Sequence, residues 1–91
     1  MFYTYCLESV KNKKLYIGYS NDLKRRFNDH NRKHGGGFTE KNGPWRLIFY
    51  EAHINEADAR KMKKFYKSGY GREVLKKKLK NYFKNKYSQV V

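Results

Sequence analysis

Two short runs, Phe2–Leu7 and Lys14–Tyr19, alternate aromatic and aliphatic residues with others and stand six residues apart near the N-terminus. A period of two puts Tyr3, Tyr5 and Leu7 on one side of the first run. In the second it puts Leu15, Ile17 and Tyr19 on one face, with Tyr16 and Gly18 on the other. The connector Glu8–Lys13 is polar, contains Asn12 and is short, which predicts an antiparallel β-hairpin. A small sheet of this kind must bury its faces under whatever helices follow.

The helical signals come next. Ser20-Asn21-Asp22 supplies N-cap chemistry for a helix predicted from about Asp22 to His34. Its apolar stripe, Leu23 and Phe27, continues through His30 and His34, and Gly35-Gly36-Gly37 ends it. A polar loop with Gly43-Pro44 leads to a third strand over Trp45–Glu51. Asn55 or Ile54 opens a second helix with Ala59, Met62 and Tyr66 inward; Met62 is best explained as core filler. Ser68-Gly69-Tyr70-Gly71 breaks the chain, and a third helix is predicted from about Arg72 to Phe83, with Leu75, Leu79, Tyr82 and Phe83 as its apolar side. The fold class is α+β: a small three-stranded antiparallel sheet flanked by helices, in the order β-β-α-β-α-α. Residues 1–86 read as one domain and 87–91 as a short flexible tail. At 91 residues the core is thin, and aromatics, 18% of the chain, must fill it.

Charge narrows the function. The formal net charge is +14, and it is uneven: residues 60–86 hold twelve Lys and Arg against the single acid Glu73. One strongly basic half on a folded domain is matched to a polyanion, because each neutralised phosphate releases counterions. Lys76, Lys77, Lys78 and Lys80 are candidate nucleic-acid contacts, although a lysine run on a helix is most often a solvated face, and lysine gives no base readout by itself. Binding is therefore expected to be sequence-independent or structure-selective. Phe38 and Tyr70 are loop aromatics able to stack on splayed bases. No apolar run approaches the roughly 20 residues of a membrane helix, and the N-terminus lacks the character of a signal peptide. The lone Cys6 makes no internal disulfide, and no Cys/His cluster has zinc spacing. A monomeric, cytoplasmic protein away from membranes is expected.

The order of certain residues carries a resemblance. Tyr5 lies in the first strand, Tyr16-Ile17-Gly18 in the second, and Arg26 eight residues after Gly18; YSNDLKRRFNDHN and KSGYGREVLKKKLKNY follow. The chain from Phe2 to about Tyr82 resembles the GIY-YIG nuclease superfamily, in particular its small single-domain bacterial members related to the excision-repair nuclease module. Thr4-Tyr5-Cys6 stands where Gly-Ile-Tyr would be and keeps the tyrosine alone. The resemblance implies a DNA endonuclease using Mg²⁺ or Mn²⁺, with a protein partner supplying specificity to so short a chain. In phosphodiester hydrolysis water loses a proton, the transition state gains negative charge and the leaving oxygen needs a cation. By resemblance, Tyr5 or Tyr16 acts as base or positions the water, and Arg26 contacts the scissile phosphate. His30, four residues on, donates to phosphate or shuttles a proton, while Gly18 leaves room for close approach. A tyrosine base needs its pKa lowered from roughly 10, and Lys14 and Arg26 are the candidate cations. Each residue also has a plainer role: sheet core for the tyrosines, a half-buried structural histidine for His30, a solvated cation for Arg26.

One position departs from the family. Relatives carry an acidic metal ligand on the helix after the third strand, in Ala-x-x-x-Glu followed by Lys-Ser-Gly. Anchoring on Ala59 and Lys67-Ser68-Gly69 places that position at Lys63, which the helical period turns inward beside Ala59 and Tyr66. An ammonium there removes an oxygen ligand and adds repulsion toward a divalent cation. Glu56, two turns earlier on the same face, is the fallback ligand. The sequence leaves open a nuclease that uses another acid or Lys63 itself, a nucleic-acid-binding module of the same fold with no metal and no cleavage, and a structural domain.

Overall fold

The computed structural model describes residues 1–32 and 37–88. Three strands, β1 (Phe2–Ser9), β2 (Leu15–Ser20) and β3 (Trp45–His53), form one antiparallel sheet in the order β2-β1-β3. The predicted α+β class and three-stranded sheet are observed, with five helices among the described residues: α1 (Leu23–Asn31), α2 (Gly37–Asn42), α3 (Glu56–Lys67), α4 (Gly69–Lys78) and α5 (Lys80–Ser88).

Being central, β1 is buried on both faces, and every residue from Thr4 to Leu7 is inaccessible. Its alternation feeds two cores. On one face Tyr5 and Leu7 pack with Trp45, and with Leu23 and Phe27 of α1. On the other, Cys6 and Ile17 pack with Tyr66 of α3 and Leu75 of α4. The Thr4 hydroxyl donates to the Ala59 carbonyl at 2.6 Å and pins α3 to that second face. Burial, with the Glu8 carboxylate adding to it, pushes the Cys6 thiol up to about 12, so it behaves as a small apolar side chain.

Several boundaries differ from the sequence reading, most of them for a tertiary reason. Within the expected Ser20-Asn21-Asp22 the cap is Asp22, but α1 stops at Asn31, whose side chain donates to the Trp45 carbonyl and accepts from the Trp45 N–H, thereby tying the helix to β3. His34, Gly35 and Gly36 lie outside the described residues. The stretch predicted as a polar loop contains the short helix α2, which gives the Trp45 indole N–H its partner at the Thr39 carbonyl, 2.8 Å. Ser68-Gly69-Tyr70-Gly71 is a helix cap and first turn: the Ser68 hydroxyl donates to the Phe65 carbonyl at 2.6 Å and accepts from the Gly71 N–H at 3.0 Å. The predicted third helix is divided at Leu79. No residue between Leu75 and Phe83 breaks a helix by itself; the turn lets Leu79 pack into the core while Tyr82 donates to the buried Glu8 carboxylate at 2.7 Å. Helix α5 runs through Ser88, two residues past the expected domain boundary at 86.

Candidate phosphodiester site

The register places Tyr5 opposite Gly18 and Leu7 opposite Tyr16, so both tyrosines rise from the same sheet face. Helix α1 crosses that face and presents Arg26 and His30 one turn apart. The result is a compact cluster. The Tyr5 hydroxyl and His30 Nε2 are 2.9 Å apart, the Tyr16 and His30 rings 5.0 Å, and the Tyr5 and Tyr16 rings 6.4 Å. The Arg26 guanidinium lies near enough to the Tyr5 hydroxyl for its charge to act on it. The two phenols and the guanidinium named from sequence thus converge.

They form two layers. Tyr5 and His30 are each 1% exposed, whereas Tyr16 and Arg26 are half-buried and reach the surface. Gly18 does leave room, but the Tyr5 ring takes it: a Cβ at Gly18 would collide with the phenol. Tyr16 and Arg26 thus form the solvent-facing layer, with Tyr5 and His30 beneath them.

The electrostatics correct two expectations. Burial pushes Tyr5 up to about 12, the nearby Tyr16 adds to this, and Arg26 opposes it without prevailing. Tyr5 is therefore a neutral hydroxyl at neutral pH, the reverse of the depression a base requires. Of the two cations proposed to act on it, Arg26 does so. Lys14 instead extends over the Phe38 ring, 6.0 Å from its centre. His30 is pushed down to about 4, by burial first and the Arg26 charge second, with Asp29 opposing. It is neutral at pH 7, and its Nε2 lies against the buried Tyr5 hydroxyl. Among the described residues His30 Nδ1 has no hydrogen-bond partner.

This burial has a pH consequence. A histidine whose folded pKa lies below its unfolded value near 6.5 binds protons more readily in the unfolded chain. Its stabilising contribution is present above pH 6.5 and is lost as pH falls toward 4. The loss amounts to about 3 kcal/mol at pH 4, taking 1.36 kcal/mol per pH unit. Urea unfolding at pH 7 and pH 4 is expected to show that drop in the natural protein. In His30→Gln the drop should shrink by most of that amount; an unchanged pH dependence refutes the buried neutral imidazole.

Lys63 on α3 is half-buried, and Arg26 is among the charges acting on it. Burial first, then Lys67, Arg60, Arg26 and Lys64, holds its ammonium below the ordinary lysine range. The residues present do not fit a resident divalent cation there. Among the described residues no three His, Cys, Asp or Glu side chains are grouped so as to hold a metal. Glu56, the fallback ligand, is exposed and pairs with Arg60 at 2.8 Å. Glu51 lies on the opposite sheet face, where its carboxylate accepts from the Tyr66 hydroxyl and contacts His53 Nε2 at 2.8 Å.

The lysine cluster divides. Lys76 and Lys80 line a groove at the hairpin end of the sheet. Lys78 turns the other way and donates to the Tyr66 hydroxyl at 2.8 Å, beside the Phe49 ring. Lys77 is exposed. Sequence reasoning passed over Arg72, which lines the same groove as Lys76 and Lys80. Its four-residue spacing from Lys76, and that of Lys76 from Lys80, was the available signal.

Comparison with known proteins agrees with this geometry. The GIY-YIG catalytic domain family matches residues 1–89. A UPF0213 protein of Clostridium perfringens is 33% identical over 67 residues, which cover 74% of this chain and 71% of that one. The solution structure of a UPF0213 protein from Bacillus halodurans superposes with a TM-score of 0.51 at 32% identity, covering 82% of each chain. A structure-specific endonuclease subunit SLX1 homologue of Giardia intestinalis is 42% identical over 55 residues, 55% of this chain but 15% of the longer protein. Sheet, tyrosine cluster and sequence lead to one conclusion: the chain belongs to the GIY-YIG catalytic domain family.

Proposed function

We propose that this chain binds DNA by seating one backbone phosphate against Tyr16, Arg26 and Lys63, and that Mg²⁺- or Mn²⁺-dependent hydrolysis at that seat is weakened or lost because Lys63 stands where a metal ligand is needed. The observation that carries the proposal is the convergence of Tyr5, Tyr16, His30 and Arg26 on one face, with Arg26 also acting on Lys63. Arg26 supplies a permanent cation with two parallel donors for phosphate oxygens. The Tyr5 hydroxyl, positioned by His30, orients what lies above it. A general base works best with a pKa near the working pH. Tyr5 at about 12 and His30 at about 4 sit on either side of neutrality, which favours binding over turnover. The same observation favours the second reading, a nucleic-acid-binding module that does not cut.

The test is fluorescence anisotropy with a labelled DNA duplex, paired with plasmid nicking in Mg²⁺ or Mn²⁺. Affinity is expected to fall steeply with salt. Arg26→Ala should weaken binding about tenfold, since a hydrogen bond to a charged group contributes about 1.5–3 kcal/mol. Duplex affinity indifferent to Arg26→Ala rules out the phosphate seat. Rapid metal-dependent nicking by the natural protein, abolished in Glu56→Gln, would show that hydrolysis is intact and uses the fallback acid.

A further inference from the structure

Apart from the tyrosine cluster, the described surface contains a groove of about 860 Å³ between the hairpin turn, α2, α4 and α5. Lys14, Arg72, Lys76 and Lys80 line it as cations, while Phe38 and Phe83 give it aromatic walls. Lys13 adds a fifth cation, and Glu8 is the single carboxylate in the lining, buried and receiving the Tyr82 hydroxyl. Five positive groups against one such acid call for an anionic occupant.

The aromatic walls say which anion. Phe38 is 44% exposed; one side of its ring stacks on Tyr16 at 6.2 Å with planes 22° apart, and Lys14 Nζ sits 6.0 Å from its centre. A flat group laid on the exposed part of Phe38 would lie beside the catalytic-face tyrosine. Duplex DNA keeps its base faces stacked internally and offers nothing to such a ring, whereas an unpaired strand offers a π-face at every nucleotide. A cavity of this size suits a short stretch of single strand rather than a duplex, being at the upper end of the roughly 300–1,000 Å³ range of ligand pockets.

We propose that the groove binds unpaired DNA, with one base on Phe38 and the backbone tracking Lys14, Lys76 and Lys80. The phosphate next to that base is then delivered to Tyr16. This last step rests on the phosphate seat proposed above, while strand binding in the groove does not.

The experiment compares a labelled oligothymidine with a duplex of the same length by anisotropy. Phe38→Ala is expected to weaken oligothymidine binding at least about fivefold, the range seen when a stacking aromatic is removed, and to leave duplex affinity within about twofold. Because Phe38 also touches Tyr16 and Trp45, the double variant Lys76→Gln/Lys80→Gln, at exposed positions, decides the matter if Phe38→Ala fails to fold. It should reduce the slope of log affinity against log salt by about 1.4, at roughly 0.7 per single-strand phosphate contact. Equal losses on duplex and single strand overturn the proposal, as does oligothymidine binding indifferent to both variants. Tighter binding of oligouridine, or displacement by poly-glutamate at equal charge, also overturns the assignment to DNA. Arg26→Ala separates the two ideas: if it spares duplex binding while Phe38→Ala still weakens oligothymidine, the phosphate seat fails and the groove stands.

Discussion

Lys63→Glu is expected to raise Mg²⁺-dependent nicking of plasmid DNA by at least about a hundredfold over the natural protein. A divalent cation supplies several kcal/mol of transition-state charge stabilisation, and each 1.36 kcal/mol is tenfold in rate. The natural chain places an ammonium at that position, and Arg26, Arg60, Lys64 and Lys67 surround it closely enough to depress its pKa. An introduced carboxylate would be held ionised by the same four cations, with an oxygen available to a hard metal. The control is Lys64→Glu, which makes the same charge change one residue away at an exposed position and should leave nicking unchanged. Mn²⁺ titration calorimetry provides a second readout, showing binding in Lys63→Glu alone. A folded, DNA-binding Lys63→Glu that neither holds metal nor cuts would mean that position 63 is not where this fold places its ion.

Gly71→Ala is expected to cost at least about 2 kcal/mol of stability, although it replaces a helical glycine with the best helix former. In an open helix that change gains about 1 kcal/mol. Here the added Cβ would fall inside the Phe65 carbonyl group and 3.0 Å from the Ser68 hydroxyl. Backbone cannot yield as a side-chain tip can, so α3 and α4 must separate. Overpacking of this kind costs about 1–3 kcal/mol and more where relaxation is blocked. The clash wins, and thermal unfolding should shift down by roughly 8–16 °C, at 4–8 °C per kcal/mol for a domain of this size. Gly69→Ala is the contrast: nothing lies within 4 Å of its Cβ, so stability should hold or rise slightly. Equal melting temperatures for the two variants would refute the close approach at Gly71.

Much of this was legible in the chain itself. The hairpin, the Asp22 and Asn55 caps and the inward stripe of α3 follow from period and cap chemistry, which are local. The strand order β2-β1-β3 is not local, and nothing in the composition of β3 says which neighbour it chooses. The end of α1, the existence of α2 and the break at Leu79 were invisible for the same reason. The end of α1 and the break at Leu79 go with partners distant in sequence: Asn31 with Trp45 and Tyr82 with Glu8 are pairs no periodicity reveals. At the site, residue identities were readable and protonation was not. Tyr5 and Arg26 suggested a phenol activated by a cation, but desolvation outweighs that charge once the ring is packed over Gly18. The lysine run did not show its division either, since the helical turn sends Lys76 and Lys78 to different surfaces.

Tyr5 and Cys6 are consecutive, yet they serve the two different cores that β1 separates. A displacement of β1 that moves the phenol away from its histidine also disturbs the thiol lodged among the α3 and α4 side chains behind it. The precision with which the buried hydroxyl is held is therefore underwritten by helices that never touch it, and its order should persist up to the temperature at which the whole molecule cooperatively comes apart.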